Sequence, residues 1–328
     1  MPEKNQSFTS DLYNFLRGLC MGCADVVPGV SGGTVALILG IYERFVTAIS
    51  HVDGSLLSLV REREWKKLVE HLDLRFLVAL GSGIVSGVVA TSLLIYQLLE
   101  VPAARAVTFG VFSGMILASA ILVARLIRRA TQLHATRCIC VGIIGAAFAY
   151  WVSTLQPNDA ASELSHFYTF VCGSIAICAM VLPGISGALL LLVLGIYGHL
   201  TEVPHNLLHG EHVTESIVTT IVFGAGCLIS LILFSKVLRW LLSSHHATTM
   251  ALLCGFMVGA LRKLWPFQDD QTLAKPFKEK VFEAYLPTTV SEAVAPIIAI
   301  LLAAAFVFAV HYLAQRNHDS LVQREEQS

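Results

Sequence analysis

Ser31, Gly32, Gly33 and Thr34 follow Pro28-Gly29-Val30 in the run VVPGVSGGTVALILGIYERF, residues 26–45. Proline and glycine stop a helix, and a helix restarting near Thr34 begins with free backbone N–H groups and the positive end of its dipole. Glycines let a ligand approach that backbone, and two hydroxyls add further donors. This chemistry suits an anion. The pattern recurs in VLPGISGALLLLVLGIYGHL, residues 181–200, where Ser186 and Gly187 hold the equivalent positions. One constant offset aligns Pro28 with Pro183, Gly29 with Gly184, Gly40 with Gly195 and Tyr42 with Tyr197, and extends upstream to Gly18/Gly173 and Ala24/Ala179. The chain therefore reads as a duplicated unit. Paired breaks in apolar helices point to a transport site.

The charges around the breaks are not duplicated. Arg17, Asp25, Glu43 and Arg44 of the first copy face Cys172, Met180, Gly198 and His199 in the second. Ionisable residues inside a bilayer are costly and usually functional. Arg17 and Arg44 are candidate partners for a bound anion. They can equally pair with Asp25 and Glu43, and Arg44 and Glu43 lie close enough to an arm end to snorkel to the interface. Asp25, three residues before Pro28, is the deepest carboxylate and the preferred proton-coupling candidate, with Glu43 second. Arg105 reads as an interfacial anchor. His205, His209 and His212 fall in a polar loop. The eight cysteines lie in or beside apolar segments and read as small packing residues. No pattern calls for a metal or a cofactor.

The positioning elements follow from composition. Of 328 residues, 55% are hydrophobic and 14% charged, and mean hydropathy is +0.70. Soluble domains carry about 25% charged residues, so the expectation is an all-α polytopic membrane protein, with no role for nucleic acid. No cleavable signal peptide is expected from the polar, then amphipathic, N-terminus. The first unit, residues 1–155, is predicted to hold a re-entrant hairpin over 12–49 and spans over 74–99, 104–126 and 138–155. The second, 156–328, holds a hairpin over 166–203 and spans over 214–242, 247–264 and 291–314. Each hairpin arm has roughly 16 residues, about 24 Å as helix, which is short for a hydrocarbon core of about 30 Å.

Loops 50–73 and 125–137 are basic, whereas 156–165 and 202–215 carry no Lys or Arg. The positive-inside rule then places both termini in the cytoplasm. Loop 262–290 is the misfit, external yet holding Arg262, Lys263, Lys275, Lys278 and Lys280. Three spans per unit is odd, so the second unit must be inverted relative to the first. Gly81-x-Gly83 echoes Gly224-x-Gly226, and Gly110-x-x-x-Gly114 echoes Gly255-x-x-x-Gly259. Close helix packing is the expected reason.

GLCMGCADVVPGVSGGTVALILGIYERF together with LPGISGALLLLVLGIYG resembles the PopT-like polyprenyl-phosphate transporters, formerly a bacterial membrane domain of unknown function. The resemblance covers nearly the whole chain. It implies return of undecaprenyl phosphate from the outer to the inner leaflet of the bacterial cytoplasmic membrane for cell-envelope polymer synthesis. The partners would then be a polyprenyl phosphate lipid and the bilayer, with the oligomeric state open. Ala188 and Leu189 stand where the first copy has Gly33 and Thr34, so the copies are expected to contribute unequally. An undecaprenyl-diphosphate phosphatase is the alternative, since such enzymes share inverted repeats, hairpins and Pro-Gly-x-Ser. Their motif continues with an arginine and comes with paired glutamates, which this chain lacks. An ion-coupled transporter of a small anionic solute would use the same helix tips.

Overall fold

The computed structural model describes residues 8–25, 31–127, 132–155, 165–270 and 282–325. Pro28, Gly29 and Val30 of the first break, Arg128 and Arg129, most of loop 156–165 and the centre of loop 265–290 lie outside them. The described chain is helical, apart from one small two-stranded sheet. Five helices are long and apolar enough to cross a membrane. They are α6 (Leu74–Glu100), α7 (Pro102–Ile127), α8 (Gln132–Thr154), α12 (Val213–Ser244) and α14 (Val290–Glu325). Large apolar side chains such as Ile143, Ile221, Leu228, Leu302 and Phe306 point outward from them. On a chain of this composition such a surface belongs in lipid. The protein is a multi-pass membrane protein.

The predicted span over 247–264 is a shorter helix, α13 (His246–Ala260), of 15 residues. At 1.5 Å per residue that is about 22 Å. It sits inside the bundle, with Leu253 and Met257 fully enclosed. Its neighbours, not lipid, satisfy its sides, so its length need not match the bilayer.

Each duplicated segment folds as three helices. The first copy gives α1 (Phe8–Asp25), α2 (Gly32–Ile38) and α3 (Tyr42–Ser50), and the second gives α9 (His166–Val181), α10 (Gly187–Val193) and α11 (Tyr197–His209). The second arm is thus not one continuous helix. It bends by 118° between α2 and α3. Gly40 (φ +67°) and Gly195 (φ +71°) make the two bends, a left-handed backbone that glycine adopts at least cost. Two shorter helices, α4 (Gly54–Arg61) and α5 (Trp65–His71), lead into α6. Strands β1 (Gln268–Asp270) and β2 (Phe282–Ala284) pair antiparallel between α13 and α14.

Glycines set the helix pairs. A Cβ at Gly18 would lie 2.0 Å from Leu80 O, and one at Gly22 would lie 2.1 Å from Ile84 O. The contacts advance together, so α1 and α6 run parallel. Gly173 against Phe223 O and Gly226 against Phe170 O repeat this packing between α9 and α12. Gly110 and Gly114 approach Pro296 O and Ile300 O, joining α7 to α14, while Gly255 and Gly259 approach Gly142 O and Ala146 O, joining α13 to α8. Both pairs are again parallel. Gly83 is closely packed, but Gly81 and Gly224 have nothing within 4 Å of their Cβ positions. α3 closes one end of the core, with Tyr42 and Val46 buried among Phe76, Leu238, Leu242 and Leu253.

Candidate functional site

The two breaks meet. The Ser31 hydroxyl donates across to Met180 O at 3.0 Å and to Leu182 O at 3.4 Å. Thr34 Oγ1 accepts from Gly184 N at 2.9 Å. Gly33 lies so close that a Cβ there would sit 2.7 Å from Val181 O. The sequence explains the approach: glycine removes the side chain that would hold the two backbones apart, and the flanking hydroxyls supply the bonds. Gly184 (φ +85°) rests on α13, where a Cβ would meet Phe256 O at 2.5 Å. The meeting point lies beside the middle of α6. A Cβ at Gly87, the fourteenth of the 27 residues of α6, would lie 3.0 Å from Cys23 N, close to the end of α1.

Within the first break the donors already have partners. Ser31 caps α2, its Oγ accepting from Gly33 N at 3.1 Å. Such a cap is worth about 1 kcal/mol. The Asp25 carboxylate bends back over the tip and accepts from Gly32 N at 2.6 Å. It occupies the position where an external anion would bind. In the second break Ser186 caps α10 through Leu189 N at 3.4 Å. Met180, the counterpart of Asp25, lays its side chain against Gly187, where a Cβ would be 2.5 Å from Met180 Cγ and 2.6 Å from Ala176 O. One tip therefore faces a carboxylate and the other a thioether side chain.

Of the sequence-predicted residues, the structure gathers Asp25, Ser31, Gly32, Gly33 and Thr34, with Ser186 and Gly187 in the facing break. Arg44 and Glu43 stand apart, beyond the Gly40 bend. Arg44 makes a two-pronged pair with Asp73, Nε–Oδ2 2.7 Å and Nη2–Oδ1 3.0 Å, and its guanidinium carbon lies 4.1 Å from the Phe76 ring centroid. Glu43 is more than half exposed and pairs with His246 Nε2 at 2.8 Å. Neither reaches the break, because the second arm turns away at Gly40. Arg17 lies two turns below Asp25, about 12 Å along the helix. Its Nη1 donates to the buried Asn14 Oδ1 at 3.3 Å, and it is near enough to Arg44 for the two cations to repel. Sequence reasoning missed Asn14, Asp73 and His246. A polar residue opening a long apolar span, as Asp73 does, is the signal that could have named Arg44's partner. Arg105, expected as an interfacial anchor, is buried and donates to Gln268 O at 3.2 Å.

Paired helix breaks meeting inside a multi-pass helical bundle define the class: an integral membrane protein organised around a polar junction of two helix breaks. The chain matches the VCA0040-like, undecaprenyl phosphate translocase-like family model over residues 21–281, and it belongs to that family. It is 36% identical over 258 residues to the polyprenyl-phosphate transporter of Vibrio cholerae serotype O1, covering 79% of each chain. It is 31% identical over 260 residues to that of Staphylococcus aureus, covering 77% of this chain and 86% of the relative. No solved structure matches. The family and these relatives carry the names of transporters, so the phosphatase alternative gives way.

Proposed function

We propose that this protein carries polyprenyl phosphate across the bacterial cytoplasmic membrane, returning it from the outer to the inner leaflet. The names of its relatives support the substrate class. The observation that carries the mechanism is the contact of the two breaks. The barrier to moving such a lipid is its charged head, because the tail stays in hydrocarbon throughout. A polar junction of backbone and hydroxyl groups, open sideways to lipid, shelters the head without a permanent buried cation.

Residues 1–155 and 156–328 then form two inverted units, and the hairpins enter from opposite faces. The parallel pairing of α7 with α14 and of α8 with α13 supports this arrangement. If successive spans alternate in direction, those pairings make the second triplet run opposite to the first. Ser31, Gly32, Gly33 and Thr34 contact the head from one side, and Ser186 and Gly187 from the other. Arg17, unlike Arg44, has no tie to a carboxylate among the described residues, and it attracts the head along α1. The head displaces Asp25 from Gly32 N, and this exchange is easiest when the carboxyl group takes up a proton. Asp25 is thereby the coupling residue, ahead of Glu43.

Reconstitution in liposomes tests the proposal. Undecaprenyl phosphate is expected to cross between leaflets, with no release of inorganic phosphate from undecaprenyl diphosphate. Uptake of a soluble anion without lipid movement would overturn the substrate assignment.

A further inference from the structure

Three cations collect where α7 begins and α13 ends. Arg105 in the first turn of α7 is buried, at 6% exposure. Lys263 and Arg262 lie in the turn that follows α13. Gln268 ties the group together: its carbonyl accepts from Arg105, and its side-chain amide donates to Lys263 O at 2.9 Å. Ser113 Oγ, donating to Leu264 O at 2.7 Å, fixes the same turn against α7. The Arg262 guanidinium carbon lies 5.0 Å from the Tyr150 ring centroid. The Lys263 ammonium has no hydrogen bond or ion pair among the described residues.

Two further features say what such a group can take up. Trp265, Phe267 and Tyr285 form an edge-to-face aromatic cluster beside it, with Trp265 Nε1 donating to Tyr285 O at 2.8 Å. Aromatic residues of this kind mark the lipid headgroup level. Below it, Leu98, Ala104, Val107, Thr108, Val111 and Phe112 line a cavity of about 580 Å³ along α7. Thr108 Oγ1 is spent on Ala104 O at 2.8 Å, so the cavity is apolar throughout. It starts beside Arg105, at Ala104. Its inner end, Phe112, packs on the cluster of Ala24, Phe109 and Met257, and Ala24 adjoins Asp25. Asp269, Glu283 and Glu292 border the site on the sheet and α14. Glu292 accepts from the Tyr285 hydroxyl. That bond pushes the phenol up to about 12, so Tyr285 stays neutral.

We propose that this is an uptake site for the lipid, holding the phosphate head against Lys263 and Arg105 and the first isoprene units in the α7 cavity. The site rests on the transport reading above and deepens it: the cavity runs from Ala104, beside Arg105, to Phe112, which packs on the cluster that holds Ala24. It also gives the basic residues of loop 262–290 a role on a face where the positive-inside rule expects none.

The test is equilibrium binding to the full chain in nanodiscs, with undecaprenyl phosphate, undecaprenol and inorganic phosphate as probes. Lys263→Gln is expected to weaken undecaprenyl phosphate by about fivefold or more, which is about 1 kcal/mol. Undecaprenol should be unaffected, and Lys263→Arg should restore binding. Val107→Trp fills the cavity and should weaken undecaprenyl phosphate while leaving inorganic phosphate unchanged. That unchanged binding also shows that the variant is folded. Wild-type affinity for undecaprenyl phosphate in either Lys263→Gln or Val107→Trp overturns the site. Absence of lipid flux in wild-type liposomes, with these binding differences intact, would overturn the transport reading and leave the uptake site standing.

Discussion

Asp25 is the residue on which the proposed cycle turns. Its carboxylate accepts from Gly32 N at 2.6 Å, so a phosphate oxygen can reach that donor only after the carboxylate leaves. Asp25→Asn removes the charge and keeps the size. The variant is expected to bind undecaprenyl phosphate but to lose the pH dependence of its flux, read in liposomes under imposed pH gradients. Unchanged pH dependence would move coupling away from Asp25. Ser31→Ala removes both the cap and the cross-break bond to Met180 O. It should cost about 1–2 kcal/mol in thermal unfolding and lower flux. The place of Asp25 at the break was legible, because it lies three residues before a proline. The surroundings of Arg44 were not, because they depend on a bend that brings α3 against the start of α6.

At the scale of elements, the glycines divide into two kinds that spacing alone does not separate. Gly83 would place a Cβ 2.1 Å from Phe15 O, whereas Gly81, two residues earlier on the same helix, meets nothing within 4 Å. Gly83→Ala must push α1 and α6 apart and is expected to destabilise the protein strongly. Gly81→Ala should be neutral or stabilising by up to about 1 kcal/mol, from helix propensity. Thermal unfolding in one detergent compares them directly, and equal losses would refute the packing assignment. The motif Leu-Gly-Ile-Tyr carried the sign of the second bend in both copies. It went unread because its flanks are apolar enough to continue a helix, and only a positive φ at Gly40 and Gly195 reveals the turn. The mid-break glycines serve backbone approach as well: Gly187 faces Ala176 O, so Gly187→Leu should unfold the second hairpin rather than merely block a ligand.

Over the whole molecule, duplication was the most legible property. It reappears as contacts: Gly18 with Leu80 recurs as Gly173 with Phe223, and Gly114 with Ile300 recurs as Gly259 with Ala146. The pairing of α7 with α14 and of α8 with α13 was not legible, because helices that pack through glycine carry no record of which neighbour they meet. The proposed orientation has both termini in the cytoplasm. Cysteine labelling on a background without native cysteines should reach position 160 from outside and position 131 only from inside, and the reverse pattern would overturn it. The junction of the two breaks is tested most directly by placing the lipid head. Polyprenyl phosphate with a diazirine in the isoprene beside the phosphate is photolysed with the protein in nanodiscs, and the adducts are mapped by mass spectrometry. Adducts at residues 31–34 and 182–187 are the expected result. Labelling that spares both breaks, in a protein that still moves the lipid, would contradict the proposed path.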